Sequence, residues 1–215
     1  MKAILISIKP KWVAKILNGE KTLELRKSFP KDYRGWVYIY CTKADDLCKI
    51  CKISRDRYIS GKDYDNRDFP HLHSGYNGRG KVVARFYCDN VTQYINGGQW
   101  HKDNTFGHYD DYIKDKVCKL ACVSEDSLFA YADDLAFNAI HISKLEIFDY
   151  PKELGDFYKV GYLEEESAIE SHIADIEGCD GGVNEDYIDN LYEELDKEYQ
   201  ITKAPQSWMY VEVTL

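Results

Sequence analysis

The sequence of 215 residues predicts an α+β fold, and two features of the chain support that class. Short segments in which apolar and polar residues alternate, the pattern of β-strands, recur from the first residues to the last. Stretches with apolar residues at helical spacing lie between them, near the start and again in the last third. Apolar residues make up 44% of the chain, which is enough to bury a core and excludes a globally disordered protein.

The predicted strands combine β-branched and aromatic residues with a two-residue alternation. They cover residues 5–8, 21–27, 36–42, 81–91, 141–149 and 207–213. In the second strand, Leu23 and Leu25 share one face, whereas Glu24 and Arg26 share the opposite face. Pro151 is expected to end the fifth strand, because proline cannot donate a ladder hydrogen bond.

A first helix is predicted directly after the first strand. Pro10 suits the first helical position, where the missing N–H would have no partner anyway. The apolar stripe of this helix consists of Trp12, Val13, Ile16 and Leu17. Gly19 can adopt the left-handed conformation that ends a helix. Ser124 predicts a second, short capped helix, and we expect residues 44–79 and 92–123 to be irregular and polar.

The net charge of −9 is distributed very unevenly. Residues 1–43 contain ten Lys and Arg against three Asp and Glu, whereas residues 153–198 contain sixteen Asp and Glu against two Lys. The acidic part shows two helical stripes separated by glycines, with Asn184 placed to cap the second helix. We interpret residues 156–203 as an acidic helical insertion within a single domain of residues 1–215. The basic first part keeps nucleic acid among the possible ligands despite the overall charge.

Cysteines and hydropathy indicate the compartment. Seven cysteines without a secretion signal favour reduced thiols in the cytoplasm. No segment approaches the ~20 apolar residues of a membrane span, so no membrane association is expected.

Cys48 and Cys51 have C-x-x-C spacing, and Cys118 and Cys122 with a histidine would complete a zinc set. The histidines in question are His71, His73, His101 and His108. The spacing of the second cysteine pair is poor for zinc, so we expect free thiols, no metal and no cofactor.

Residues 19–26 (GEKTLELR) contain the pattern G-x-K-x-x-E-x-R. This pattern, after a strand and a helix, resembles the signature of ASCH domains, relatives of the PUA fold. Further similar segments follow in order at residues 37–42, 80–84 and 139–143, and residues 205–212 resemble the close of an ASCH subgroup of phages and prophages. The resemblance covers about two thirds of the chain. It implies a PUA-like mixed β-barrel of five to six strands with flanking helices, and a pocket at the barrel mouth that binds RNA or a nucleotide.

The residues that we predict to bind this ligand are charged, polar or aromatic: Lys9, Lys21, Glu24, Arg26, His141, Ser143, Trp208 and Tyr210. A carboxylate accepts from an exocyclic amine, arginine pairs with phosphate or a carbonyl edge, and aromatic faces stack on bases. These residues can also have a structural role without any ligand. Glu24 and Arg26 would then form a solvated ion pair, and His141 would be a strand residue hydrogen-bonded to the backbone. Trp12 is read as a core residue rather than a stacking surface.

Two other functions compete with binding. Some ASCH proteins are amidohydrolases that deacetylate N4-acetylcytidine with a lysine, a threonine and a glutamate, and others are reported as ribonucleases. By resemblance, Lys21 and Glu24 would be catalytic here. The chain carries Glu24 where those amidohydrolases carry threonine, so Thr22 would have to substitute. The acidic helices would alternatively dock a basic protein partner or cover the protein's own basic surface.

Overall fold

The computed structural model describes residues 1–43, 53–54, 57–58, 80–96, 100–102, 111–132, 137–177 and 184–214. Its strands are β1 (Lys2–Ile8), β2 (Leu23–Arg26), β3 (Gly35–Cys41), β4 (Ile53–Ser54), β5 (Arg57–Tyr58), β6 (Lys81–Cys88), β7 (Val91–Asn96), β8 (Trp100–Lys102), β9 (Phe137–His141), β10 (Ser143–Lys152) and β11 (Trp208–Glu212). Its helices are α1 (Pro10–Leu17), α2 (Asp111–Ala121), α3 (Glu125–Ala132), α4 (Tyr162–Glu177) and α5 (Glu185–Tyr199). The predicted α+β class with flanking helices is confirmed.

The described strands form two main sheets and a short pair. The five-stranded sheet has the order β10-β6-β3-β1-β11, in which only β1 and β3 run parallel, and the four-stranded sheet has the order β2-β9-β7-β8. Strands β4 and β5 pair with each other. The chain continues almost directly from β6 into β7 and from β9 into β10. These two continuous stretches connect the two sheets.

Strand β1 is buried on both of its faces. On one face, Ile4 and Ile6 pack with Val13 and Ile16 of α1 in the largest core cluster. On the other face, Leu5 joins a separate cluster that contains residues from the start and end of the acidic segment, including Phe157 and Ile201. The acidic segment is therefore anchored on the outer face of the five-stranded sheet at both of its ends.

The acidic segment forms the two predicted helices. α4 ends at Glu177, and the side chain of Asn184 caps α5 by accepting a hydrogen bond from the backbone N–H of Asp186 at 2.9 Å. A carboxylate oxygen of Glu212 in β11 accepts from the N–H groups of Gly161 at 3.2 Å and Leu163 at 2.9 Å. Since the first N–H groups of a helix have no internal partners, this carboxylate stabilises the start of α4.

Two predictions about the central part of the chain are wrong. Residues 92–123, expected to be irregular, contain β7, β8 and α2. The polar composition of this stretch suggested exposure to solvent. In the structure, however, β7 buries its polar Thr92, which is only 4% exposed, as well as Tyr94, which packs against Phe137. Pro151 does not end the fifth predicted strand, because β10 lies at a sheet edge and pairs with β6 alone. Proline is tolerated at such an edge.

Most of the predicted loop at 44–79 lies outside the described residues, apart from β4 and β5. Within the described ranges, no helix combines the length and the apolar character that a membrane crossing requires.

Candidate functional site

A pocket of about 420 Å³ opens where α1, β2 and α3 meet the ends of β1 and β3. Residues from these elements, from the turn before α3 and from the segment before β11 form its walls: Ser7, Ile8, Lys9, Lys11, Trp12, Lys21, Glu24, Leu25, Arg26, Thr42, Val123, Ser127, Leu128, Tyr131 and Gln206. The ionisable Lys, Arg and Glu side chains among them are four cations and one carboxylate. The pocket therefore has a positive electrostatic potential although the chain as a whole is acidic.

Three charged side chains meet in the wall of the pocket, and we call Lys21, Glu24 and Arg26 the charged triad. Lys21 Nζ lies 3.3 Å from one carboxylate oxygen of Glu24, and Arg26 Nη2 lies 3.0 Å from the other. The side chains are only 3%, 8% and 13% exposed, respectively. The alternation of β2 places Glu24 and Arg26 on one face of the strand, whereas Leu23 and Leu25 pack into a core cluster. The triad is thus a buried array and not a solvated ion pair.

Backbone carbonyl groups hold the two cations of the triad in place. Lys21 Nζ donates to the carbonyl oxygen of Ala121, at the end of α2, at 2.9 Å. Arg26 Nη2 donates to the carbonyl oxygen of Ser7 at 2.6 Å, and its Nη1 lies 3.5 Å from the hydroxyl of Ser207. Arg26 therefore connects β2 with β1 and with the segment before β11, so its position depends on three distant parts of the sequence.

Two polar atoms of the pocket-lining side chains are buried without a hydrogen-bond partner among the described residues. They are Nε of Arg26 and the hydroxyl oxygen of Thr42. A buried polar group left unpaired costs roughly 1–3 kcal/mol, and native proteins keep few of them. A polar ligand atom that bonds to either group would remove that cost.

Burial changes the acidity of Lys21. Desolvation lowers the pKa of its ammonium, and the neighbouring carboxylate of Glu24 opposes this effect only in part. A lysine that loses its proton more easily than usual can act as a base or a nucleophile, so this side chain has the properties of a reactive group as well as of a binding group.

Trp12 lies in the pocket wall and is half-buried. The centre of its ring is 5.0 Å from Nζ of the exposed Lys11 and 5.3 Å from Nζ of the buried Lys21. It also packs against the main core cluster, as expected from the helical stripe. The structure adds that part of the ring faces the pocket, where it can stack on a planar ligand.

The structure brings four of the eight predicted ligand-binding residues together, namely Lys9 and the charged triad. Ser143 lies elsewhere, because its hydroxyl donates to the carbonyl of Tyr87 at 2.7 Å across the β10–β6 pair. His141 is also outside the pocket; its side chain is 45% exposed and its Nδ1 lies 3.8 Å from a carboxylate oxygen of Asp89. Their predicted contact with the pocket ligand has no support from this geometry.

The two aromatic residues of β11 also lie outside the pocket. Trp208 donates from its indole N–H to the carbonyl of Ser28 at 2.7 Å, and its ring contacts Phe29 at 5.6 Å. Tyr210 packs beside Tyr33 with ring centres 6.3 Å apart. Both side chains belong to an aromatic cluster at the edge of the five-stranded sheet, where β11 pairs with β1. The exposed Thr22 does not line the pocket either.

Sequence reasoning missed the polar pocket residues outside the first thirty positions. Thr42, Ser127, Tyr131 and Gln206 come from three separate parts of the chain, because only Ser127 and Tyr131 share an element, α3. No local pattern joins them, and only the meeting of β3, α3 and the segment before β11 places them around one cavity.

The proposed zinc alternative falls largely outside the described residues. Cys48, Cys51 and three of the four histidines lie there, and the side chain of the fourth, His101, is not described. In the part of the chain that the structure covers, no group of three or more His, Cys, Asp or Glu side chains is arranged to hold a metal ion. Cys118 and Cys122, at the end of α2, are thiols.

The structure thus defines an α+β protein with a charged pocket beside its first helix. No protein-family model matches the chain, and no curated protein matches it. Among solved structures it is similar to ASCH from Zymomonas mobilis, with a TM-score of 0.47 and 13% identity over 98% of this chain and 87% of that one. Two mutants of that protein give TM-scores of 0.43 and 0.45 at 15% and 13% identity, covering 78% and 98% of this chain and 83% and 88% of theirs. Such scores decide neither fold nor function, so the α+β class rests on the elements described above.

Proposed function

We propose that this chain is an ASCH-type domain of the PUA-like superfamily, of the phage and prophage subgroup, and that its pocket binds RNA or a nucleotide. One observation carries the proposal. The three charged residues that resemble the ASCH signature are the same three that converge, buried, in the pocket wall. If this pattern formed only surface ion pairs, its three side chains would be solvated and would not line a cavity.

The chemistry of the walls suits one nucleotide. Each oxygen of the Glu24 carboxylate is paired with one cation and has a second lone pair, which can accept from an exocyclic amine of a base. The guanidinium of Arg26 can donate to a carbonyl edge or a phosphate. Trp12 offers a stacking surface. The volume of about 420 Å³ lies at the lower end of the roughly 300–1,000 Å³ of small-molecule sites, so an RNA ligand would insert a single nucleotide.

We place the protein in the cytoplasm, where RNA and nucleotides are available and thiols stay reduced. The four cysteines that the structure describes, Cys41, Cys88, Cys118 and Cys122, are all thiols, which agrees with such a location.

Arg26→Lys tests the proposal while keeping the positive charge of the triad. Wild-type protein should bind labelled RNA or nucleoside monophosphates at low salt, measured by fluorescence anisotropy and calorimetry. The variant should bind about tenfold more weakly or worse, because lysine lacks the planar fork of donors. Arg85→Lys is the matched control, since Arg85 pairs with Glu146 at 2.7 Å outside the pocket and should not affect binding. Absence of binding by the wild-type protein at low salt, or equal binding by both variants, contradicts the proposal.

Hydrolysis of a modified nucleoside is the second candidate, and the lowered pKa of the buried Lys21 favours it. As an amidohydrolase, the protein would use Lys21 as base or nucleophile with Glu24 beside it, on a substrate such as N4-acetylcytidine. Thr22 offers no help, because it is exposed and away from the pocket. Incubation with N4-acetylcytidine, followed by chromatography, should yield cytidine with wild type and none with Lys21→Ala. A parallel incubation with RNA tests ribonuclease activity, and an inactive wild type rejects both reactions.

The acidic helices do not contribute to the pocket. Among the described residues, no pocket-lining side chain comes from residues 156–203, which speaks against a role in covering the site. Docking of a basic protein partner on these helices stays a prediction.

A further inference from the structure

The positive charges of the pocket fall into two groups with different surroundings. Lys21 and Arg26 are buried and share the carboxylate of Glu24. Lys9 and Lys11, which we call the rim lysines, line the same pocket but are exposed. Neither rim lysine forms an ion pair with a carboxylate anywhere in the described part of the chain, since the ion pairs found there involve other side chains.

The rim lysines are held at a fixed place although their side chains are solvated. They flank Pro10, the first residue of α1, and the carbonyl oxygen of Lys9 accepts hydrogen bonds from the N–H groups of Trp12 at 2.9 Å and Val13 at 3.0 Å. The Lys9 side chain makes no capping bond of its own. The Lys9 ammonium is therefore available for a ligand, and the Lys11 ammonium lies 5.0 Å from the centre of the Trp12 ring, on which we expect a base to stack.

We propose that the rim lysines bind the phosphate of the nucleotide whose base enters the pocket, so that the site selects nucleotides over nucleosides. This inference rests on the proposed function, because it names the part of the ligand that the pocket mouth recognises. A neutral nucleoside would leave the positive charges of the two rim lysines without a negative counter-charge. A phosphate carries close to two negative charges at neutral pH and would compensate both of them.

The positive excess of the pocket supports this assignment. The single carboxylate of Glu24 faces four cations in the wall, two of which it contacts directly, so positive charge is in excess there. In a concave site, charges of one sign attract a counter-ion more strongly than they would on a flat surface. The phosphate can belong to a free nucleotide or to the end of an RNA strand, and the two sources share the same chemistry.

Calorimetry with matched ligand pairs tests the inference. Cytidine is compared with its 5′- and 3′-monophosphates, and adenosine with its own, at low salt. We expect the better monophosphate of each pair to bind wild type about tenfold more tightly than the nucleoside, a difference of about 1.4 kcal/mol. Rising salt concentration should weaken binding of the monophosphate and leave binding of the nucleoside nearly unchanged.

The variant Lys9→Gln, Lys11→Gln removes both charges and keeps most of each side-chain stem. It should lose the tenfold preference for the monophosphate over the nucleoside. The control Lys31→Gln, Lys203→Gln removes two exposed lysines that do not line the pocket and should keep the preference. Equal affinity of wild type for nucleoside and monophosphate, or a preference that survives in the rim variant, overturns the inference.

Other arms separate the remaining outcomes. Inorganic phosphate that binds as tightly as a monophosphate would show an anion site without nucleoside recognition and would also overturn the inference. Failure of every nucleoside, nucleotide and RNA to bind would instead contradict the proposed function itself. A short oligoribonucleotide with and without a terminal phosphate identifies the source: a phosphate-dependent gain that the rim variant abolishes indicates an RNA end, whereas binding of monophosphates alone indicates a free nucleotide.

Discussion

Replacing Glu24 by glutamine removes one negative charge from between two buried cations and nearly preserves the shape of the side chain. The carboxylate is 3.3 Å from Lys21 Nζ and 3.0 Å from Arg26 Nη2, and its side chain is only 8% exposed. Removing one member of a buried ion pair costs about 3–5 kcal/mol, because the remaining charge is left without compensation. Lys21 can avoid part of this cost by losing its proton, because its pKa is already lowered by burial. We therefore expect the unfolding free energy to fall by about 3 kcal/mol, the lower end of that range.

Urea denaturation measures this loss, and a melting temperature lower by roughly 10 °C should accompany it in a chain of this size. Glu20→Gln is the matched control, because Glu20 pairs with Lys15 at 3.0 Å but both side chains are 40–49% exposed. An exposed pair of this kind contributes below ~1 kcal/mol. Equal losses in the two variants would show that burial does not strengthen the triad, and the reasoning would be refuted.

Three further predictions concern pH, stacking and capping. Because burial lowers the pKa of Lys21 below its usual value of 10.5, the unfolded state holds more protons between the folded pKa and 10.5. The unfolding free energy of wild type relative to Lys21→Met should therefore rise as the pH increases toward 10.5; a flat or falling difference in urea titrations contradicts this. Trp12→Ala should weaken nucleotide binding about tenfold in calorimetry through lost stacking, whereas Tyr150→Ala, at a side chain 68% exposed, should have no effect. Asn184→Ala should cost about 1 kcal/mol and speed amide exchange at the start of α5; unchanged exchange would refute the capping role.

The parts of the fold that sequence reasoning predicted correctly depend on local patterns. α1 begins at Pro10 and ends before Gly19, whose φ is +73°, as the proline and glycine rules require. The hydroxyl of Ser124 accepts a hydrogen bond from the N–H of Ser127 at 3.2 Å at the start of the predicted short helix. In each case the determining residues are neighbours in the sequence.

The parts that could not be predicted depend on distant contacts. The polar sequence of β7 forms a strand because it pairs with β9, more than forty residues away. The sequence pattern identified Arg26 as a candidate ligand-binding residue. Its hydrogen bonds to Ser7 and Ser207 could not be predicted, because these two residues come from opposite ends of the chain. The aromatic residues of β11 were predicted to face a ligand on the basis of alternation alone. Alternation separates two faces of a strand but does not tell which face borders a cavity.

A crystal structure of the protein soaked with nucleoside monophosphates tests the central claim most directly. We expect a nucleotide in the pocket beside α1, with its base against Trp12, a hydrogen bond to the charged triad, and its phosphate within reach of Lys9 and Lys11. A nucleotide bound at another surface while this pocket contains only solvent would contradict the account.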